Sequence, residues 1–230
     1  MSEPTREYNV AYGVITWTGF PDANETWDSL PKDSRRVIIE NQINDWPLAK
    51  CWNWLVQKLC IDEGYEALVI CNDDIALRPD TGQLLADALL TRQFEDERPF
   101  QEKKLELVSA YNVRDLPDVG PRWGTGPDYS CFCVSREIFD TQGKFDEKIH
   151  IYHEDNDSAH RIKCAGFEAL SYAPYFHHGS QTIKRDPGRA EVVRQHYDAS
   201  RAYYVAKWGG IPGHERYTVA FNGNRVGAAV

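Results

Sequence analysis

Apolar residues along this chain occur as short unbroken runs that take turns with segments of helical spacing. Residues 10–17, from Val10 to Trp17, and 67–71, from Ala67 to Cys71, are continuous and rich in β-favouring side chains, which predicts buried strands. A shorter strand is predicted over 36–41, ending on Glu40 and Asn41. Between Pro47 and Gly64 the positions Leu48, Trp52, Leu55, Val56, Leu59 and Cys60 recur with a helical period, and Pro47 suits a first turn. Pro79 opens a second helix carrying Leu84, Leu85, Ala88 and Leu89. Further strands are predicted over 105–111, 129–134 and 168–173, the last running on to His177 and His178. Residues 135–139 cap a short helix, and 153–166 form a helix that begins in acid. Residues 188–207 form a long helix with Val193, His196, Ala199, Tyr203 and Ala206 on one side. Such alternation builds an α/β fold, a mostly parallel mixed sheet flanked by helices. No repeat or low-complexity linker interrupts it, so the 230 residues read as a single domain.

Charge narrows the function classes. The net charge of −9 argues against an overall electrostatic grip on nucleic acid or an anionic membrane, while leaving a local basic groove open. The first eight residues are polar, and no apolar run approaches the roughly 18 residues of a membrane span. With no signal-peptide pattern either, a cytoplasmic protein without an integral span is expected. The six cysteines form no CxxC pair and read as reduced core residues. No Cys or His partners stand at zinc-finger spacing.

The chemistry concentrates where the strand over 67–71 runs into Asn72-Asp73-Asp74. In open α/β sheets, ligands gather at the carboxyl ends of strands. Oxygen ligands of this kind suit Mn²⁺ or Mg²⁺, so an Asn-x-Asp there can seat a metal-bound diphosphate. A second acidic cluster, Glu154-Asp155-Asn156-Asp157, opens a helix. Its acids either offset the helix dipole or, near a bound sugar, accept a proton from an attacking hydroxyl. Arg161 is read as holding that helix in place. His177 and His178 are adjacent in a strand and point to opposite faces, so one of them reaches a site. Lys184 and Arg185 can neutralise phosphate. Trp123 and Asp128 lie between the two acidic clusters and are read as an acceptor wall, although an exposed loop Trp can also pack onto its own strand.

In order along the chain, these blocks resemble the family 2 glycosyltransferases of GT-A fold, with rhamnosyltransferase-like members most similar. The likeness is carried by Asn53, by 67–74, by Gly143-Lys144-Phe145-Asp146-Glu147, and by Tyr152-His153-Glu154-Asp155-Asn156-Asp157. Arg161, Ala165-Gly166-Phe167, His177-His178-Gly179-Ser180 and 207–215 follow in the same order. It covers roughly residues 10–221, and collinearity is more specific than any one motif. The resemblance implies a Rossmann-like GT-A domain, with residues of about 8–115 binding a nucleotide sugar. Residues of about 116–222 supply the acceptor and catalytic half with the C-terminal helix. It implies inverting hexosyl or pentosyl transfer from a nucleotide-diphosphate sugar, dependent on Mn²⁺ or Mg²⁺. Asp74 matches the metal-binding acid and Asn72 its partner, with His177 or His178 as the late histidine. Asp155 matches the general base and Glu154 its companion. Thr16, Trp17, Glu40, Asn41, Asn53, Asn72, Asp73 and Lys184 fall at donor-binding positions. The acceptor is a hydroxyl carried by a glycan, a lipid-linked sugar or a small molecule, with a modified DNA base as an alternative. The other alternative is an inactive module that binds a nucleotide sugar or glycan.

Overall fold

The apolar runs lie at the centre of one seven-stranded mixed sheet in the computed structural model, which describes residues 7–17, 23–91, 104–113, 120–124, 126–177 and 187–223. In chain order the elements are β1 (Val10–Thr16), α1 (Asn24–Ser29), β2 (Arg35–Glu40), α2 (Asn41–Asn44) and α3 (Leu48–Leu55). β3 (Ala67–Asn72), β4 (Ile75–Leu77), α4 (Thr81–Thr91), β5 (Leu105–Val113) and β6 (Cys131–Val134) follow. The chain then forms α5 (Ile138–Thr141), α6 (Glu154–Cys164), β7 (Glu168–His177) and α7 (Pro187–Trp208). The strand order is β2-β1-β3-β6-β5-β7-β4. The β1/β2, β1/β3 and β5/β7 pairings are parallel, and β3/β6, β5/β6 and β4/β7 are antiparallel.

Alternation along β1 and β3 splits the interior into two layers. Val10, Tyr12 and Val14 join Ala67, Val69 and Cys71 against α4, whereas Ala11 and Ile15 join Leu68 and Ile70 against α3. Close approach is built into both layers. A Cβ on Gly13 would lie 2.6 Å from Leu55 Cδ1, and one on Gly82 would meet the Tyr12 hydroxyl, so only glycine lets these helices sit so near the sheet.

Four details differ from the sequence pattern. The helix after Pro47 stays α-helical only to Leu55 and continues as a π-helix over Val56–Asp62. Strand β4 went unread because three residues carry no period. It is fixed by long-range bonds instead: Ile75 N donates to Thr26 Oγ1 (3.1 Å), Thr26 Oγ1 donates to Ile75 O (2.7 Å), and Leu77 N donates to Ser29 Oγ (3.1 Å). Along α7 the buried positions are Val193, Ser200, Tyr204, Lys207 and Trp208, while Ala199 and Ala206 face solvent. An apolar stripe did not reveal that face because Lys207 is buried against two aspartates. Cys51, Cys60, Cys71, Cys131 and Cys133 are buried thiols, but Cys164 is exposed. No helix among the described residues is long and apolar enough to cross a membrane.

Candidate active site

Strand β3 ends at a cavity of about 360 Å³ that Asn72, Asp73 and Asp74 line together with Glu154 and Asp155. Asp73 is tied to the end of β1, accepting from Thr16 Oγ1 at 2.6 Å and Trp17 N at 3.3 Å. Burial pushes its carboxyl above the ordinary range, and the neighbouring Asp74 adds to this against the Thr16 and Trp17 hydrogen bonds. Thr16 is thus buried behind Asp73, whereas Trp17 lines the cavity itself. The next residue after Asp74, Ile75, pairs with His177 across β4 and β7. The sheet therefore brings the backbone of the late histidine beside the Asn72–Asp74 turn. Its side chain, His178 and Lys184 lie outside the described residues. Among the described residues no three His, Cys, Asp or Glu side chains form a metal-holding group.

The Glu154–Asp155 part of the lining starts with backbone strain. Tyr152 and His153 take left-handed φ values of 60° and 70°, each costing roughly 1–3 kcal/mol for a non-glycine residue. This turn aims the first residues of α6 at the cavity. Asp155 Oδ1 accepts from Asn156 N (2.7 Å) and Asn156 Nδ2 (2.6 Å). Glu154 is buried and its Oε2 has no hydrogen-bond partner. Burial first, and the Asp155 charge second, push its carboxyl up to about 8, so it carries a proton at neutral pH. Its two neighbours thus meet an uncharged acid. Burial likewise holds His153 below the ordinary imidazole range, against the opposing pull of Asp155.

That raised value has a thermodynamic consequence. Below about pH 4.5 Glu154 is protonated folded and unfolded, and it contributes nothing to the pH dependence. Between about 4.5 and 8 the unfolded chain loses the proton first, so stability falls as pH rises, and it levels off above about 8. Glu154→Gln is therefore expected to be more stable than the wild type by about 4 kcal/mol at pH 8 and equal to it near pH 4. Urea titrations at the two pH values check this, and a difference that does not grow with pH would contradict it.

Behind Glu154 and Asp155 a buried ion cluster anchors α6. Asp157, fully buried, accepts from Lys207 Nζ (2.6 Å), Trp208 Nε1 (2.7 Å) and Arg161 Nε (2.8 Å). Lys207 also reaches Asp146 Oδ2 at 2.7 Å. Burial raises the Asp146 carboxyl, but the Lys207 hydrogen bond and charge outweigh it and hold it low. Arg161 spans to the carbonyls of Gln142 (2.6 Å) and Lys144 (2.8 Å). Asp157 is thus wholly engaged, and Arg161 holds the helix, as the sequence indicates.

Several expected site residues stand elsewhere. Asn53 faces the Gly143–Glu147 loop, donating from Nδ2 to Phe145 O and Glu147 Oε1 and accepting from Phe145 N. It is spent on positioning that loop and does not line the cavity. Glu40 is exposed at the end of β2, beyond the cavity. Trp123 stacks on Tyr172, centroids 4.4 Å apart, because Arg122 N and Gly124 N bond the β7 carbonyls of Tyr172 and Ser171. Asn41 and Asp128 do line the cavity. The Asn41 amide clasps both backbone groups of Trp46, and Asp128 accepts from Ser130 N and the Tyr175 hydroxyl. The sequence reading missed the aromatic lining, Trp46, Trp52, Tyr129, His150 and Tyr152. Its one available signal was the density of aromatics flanking the acidic blocks.

No protein-family model matches the chain, and no curated protein is significantly similar to it. Among solved structures, a mannosyltransferase from Pyrobaculum calidifontis in complex with GDP-mannose and Mn²⁺ is similar over 87% of this chain and 65% of its own. The identity is 17% and the TM-score 0.54. This chain therefore spans about two thirds of that enzyme's length. GalNAc-T7, solved with UDP, GalNAc and Mn²⁺, overlaps 87% of this chain and 51% of its own at 12% identity and TM-score 0.45. A197 from STIV overlaps 71% and 81% at 12% identity and TM-score 0.42. The fold is GT-A, on the strength of the first overlay.

Proposed function

We propose that this chain is a divalent-metal-dependent glycosyltransferase that moves a hexosyl or pentosyl group from a nucleotide-diphosphate sugar to a hydroxyl acceptor with inversion, in the cytoplasm. One observation carries the reading: the Asn72–Asp74 turn and the Glu154–Asp155 helix start, far apart in sequence, line one cavity in a GT-A fold. Inversion needs a base on the sugar face away from the leaving group, and two separate carboxylate clusters supply that arrangement. Asp73, Asp74, Asp128, Glu154 and Asp155 line the space, with no Lys or Arg among its described lining residues. A diphosphate entering it meets like charge at short range, so the residues present fit a site completed by a cation. Asp74 and Asn72, with His177 or His178, would hold Mn²⁺ or Mg²⁺, whose preferred ligands they are. When bound, the ion offsets the charge that develops on the departing diphosphate.

The chain's own groups do the rest. Trp17 and Asn41 flank the donor, and Asp73 keeps the turn registered against β1. Asp155 takes the proton from the acceptor hydroxyl, while the protonated Glu154 donates a hydrogen bond beside it. Residues of about 8–115 form the donor half and those of about 116–222 the acceptor half, with Lys184 a further contact to phosphate. Calorimetry with UDP and GDP, with and without Mn²⁺, tests the reading. Wild-type binding is expected to require the metal, and Asp74→Ala to weaken it at least about tenfold with an unchanged circular dichroism spectrum. Equally strong binding without metal would overturn the assignment.

A further inference from the structure

We infer that the acceptor is an uncharged sugar ring, received on an aromatic wall of His150, Tyr152 and Tyr197 at the cavity mouth. The inference rests on the transferase reading and goes beyond it by assigning the acceptor's chemical class. Tyr152 and Tyr197 are 39% and 38% exposed, two of the few large apolar side chains left open among the described residues. They stand together, ring centroids 5.4 Å apart at 75°, so one presents a face where the other presents an edge. The wall continues inward. His150 lines the cavity and stacks on His196 at 3.8 Å and 17°, and Val193 lines the cavity one helical turn before Tyr197. Val193, His196 and Tyr197 fall on one face of α7 by their spacing, so this helix closes the mouth on that side. Tyr152 holds its place at a left-handed φ of 60°, strain of the kind that persists at ligand-contacting positions.

Charge selects among the possible acceptors. Five carboxyl side chains and, among the described lining residues, no Lys or Arg surround the site, within a chain of net charge −9. A nucleic acid or phosphorylated lipid would bring further negative charge against these carboxyl groups, and the described lining offers no Lys or Arg to receive it. A neutral sugar ring fits both halves of the surface. Its C–H face lies against the aromatic rings, and its hydroxyl edge meets Glu154 and Asp155 as donors and acceptors.

The test is saturation-transfer NMR and calorimetry on the full chain with UDP or GDP and Mn²⁺ present. The probes are maltotriose, mannotriose, cellotriose and chitotriose, with a short single-stranded oligodeoxynucleotide as the contrast. At least one trisaccharide is expected to bind, and Tyr197→Ala to weaken it by roughly five- to tenfold. Tyr197→Trp, which keeps a ring, should retain it, and nucleoside diphosphate affinity should not move in either variant. Binding of none of the sugars, salt-sensitive binding of the oligonucleotide in their place, or an unchanged sugar affinity in Tyr197→Ala would each overturn the inference. Those outcomes with nucleoside diphosphate still bound leave the transferase reading standing. Loss of wild-type nucleoside diphosphate binding itself would bring down both.

Discussion

Lys207→Met is expected to destabilise the fold by about 3–5 kcal/mol, the typical cost of leaving a buried charge without its partner. Lys207 lies between Asp146 and Asp157 at 2.7 and 2.6 Å, and both it and Asp157 are buried. Methionine fills similar volume, so lost packing is a minor part of the effect. What changes is that Asp146 loses its lysine while Asp157 keeps only Arg161 as a charged partner among the described residues. Surface ion pairs are worth a fraction of this, so the magnitude itself tests whether the cluster is desolvated. Urea unfolding at neutral pH measures it, and a loss below about 1 kcal/mol would show that water replaces the lysine. A second variant separates charge from shape. Combining Lys207→Met with Asp146→Asn should recover part of the loss, because contacting groups are non-additive.

Asp155→Asn is expected to lower sugar transfer by about 10²–10⁴-fold while donor binding stays near wild type. Asparagine keeps the shape and can still accept the Asn156 N bond at the start of α6, yet it cannot take a proton. In the proposed reading donor affinity rests mainly on the Asn72–Asp74 turn, which lines the same cavity, so kcat should fall with little change in nucleotide-sugar dissociation. Transfer surviving within a few-fold would reassign Asp155 to offsetting the helix dipole. Glu154 would then be the remaining base, in the ionised form it gains as pH rises through about 8, since Asp157 is wholly engaged by Lys207, Arg161 and Trp208. Tight nucleotide-sugar binding by the wild type without transfer to any acceptor would make the protein a binding module.

The parts of the fold that were legible in the sequence are those whose cause is local. β1 and β3 are unbroken apolar runs because both their faces are covered, and such runs need no knowledge of the partner. The acidic start of α6 and its approximate length were readable for the same reason, as were Asn72–Asp74 at a strand end. What escaped the reading depends on distant residues. β4 is held by Thr26, Ser29 and β7, none of which marks residues 75–77 themselves. The buried face of α7 passes through Ser200 and Lys207, and a hydropathy period cannot see a lysine that goes inside with its counter-charges. Asn53 sits next to Trp52, yet the two face different ways: Trp52 lines the cavity while Asn53 clasps the Gly143–Glu147 loop. Trp123 and Tyr152 are both loop aromatics. Only the backbone bonds of Arg122 and Gly124 to β7 send the first away from the site, and only the left-handed turn sends the second toward it.

The position of Lys207 near the end of α7 also sets an order of events during synthesis. The strands that carry Asn72–Asp74 and the helix that carries Asp155 leave the ribosome well before the residue that neutralises Asp157. Until Lys207 and Trp208 emerge and dock, Asp157 of α6 has only Arg161 of its own helix as a partner, and its other oxygen lacks the lysine and indole that receive it in the finished fold. The Asn72–Asp74 turn can therefore meet its β1 partners early, whereas the start of α6 gains its full anchor only last.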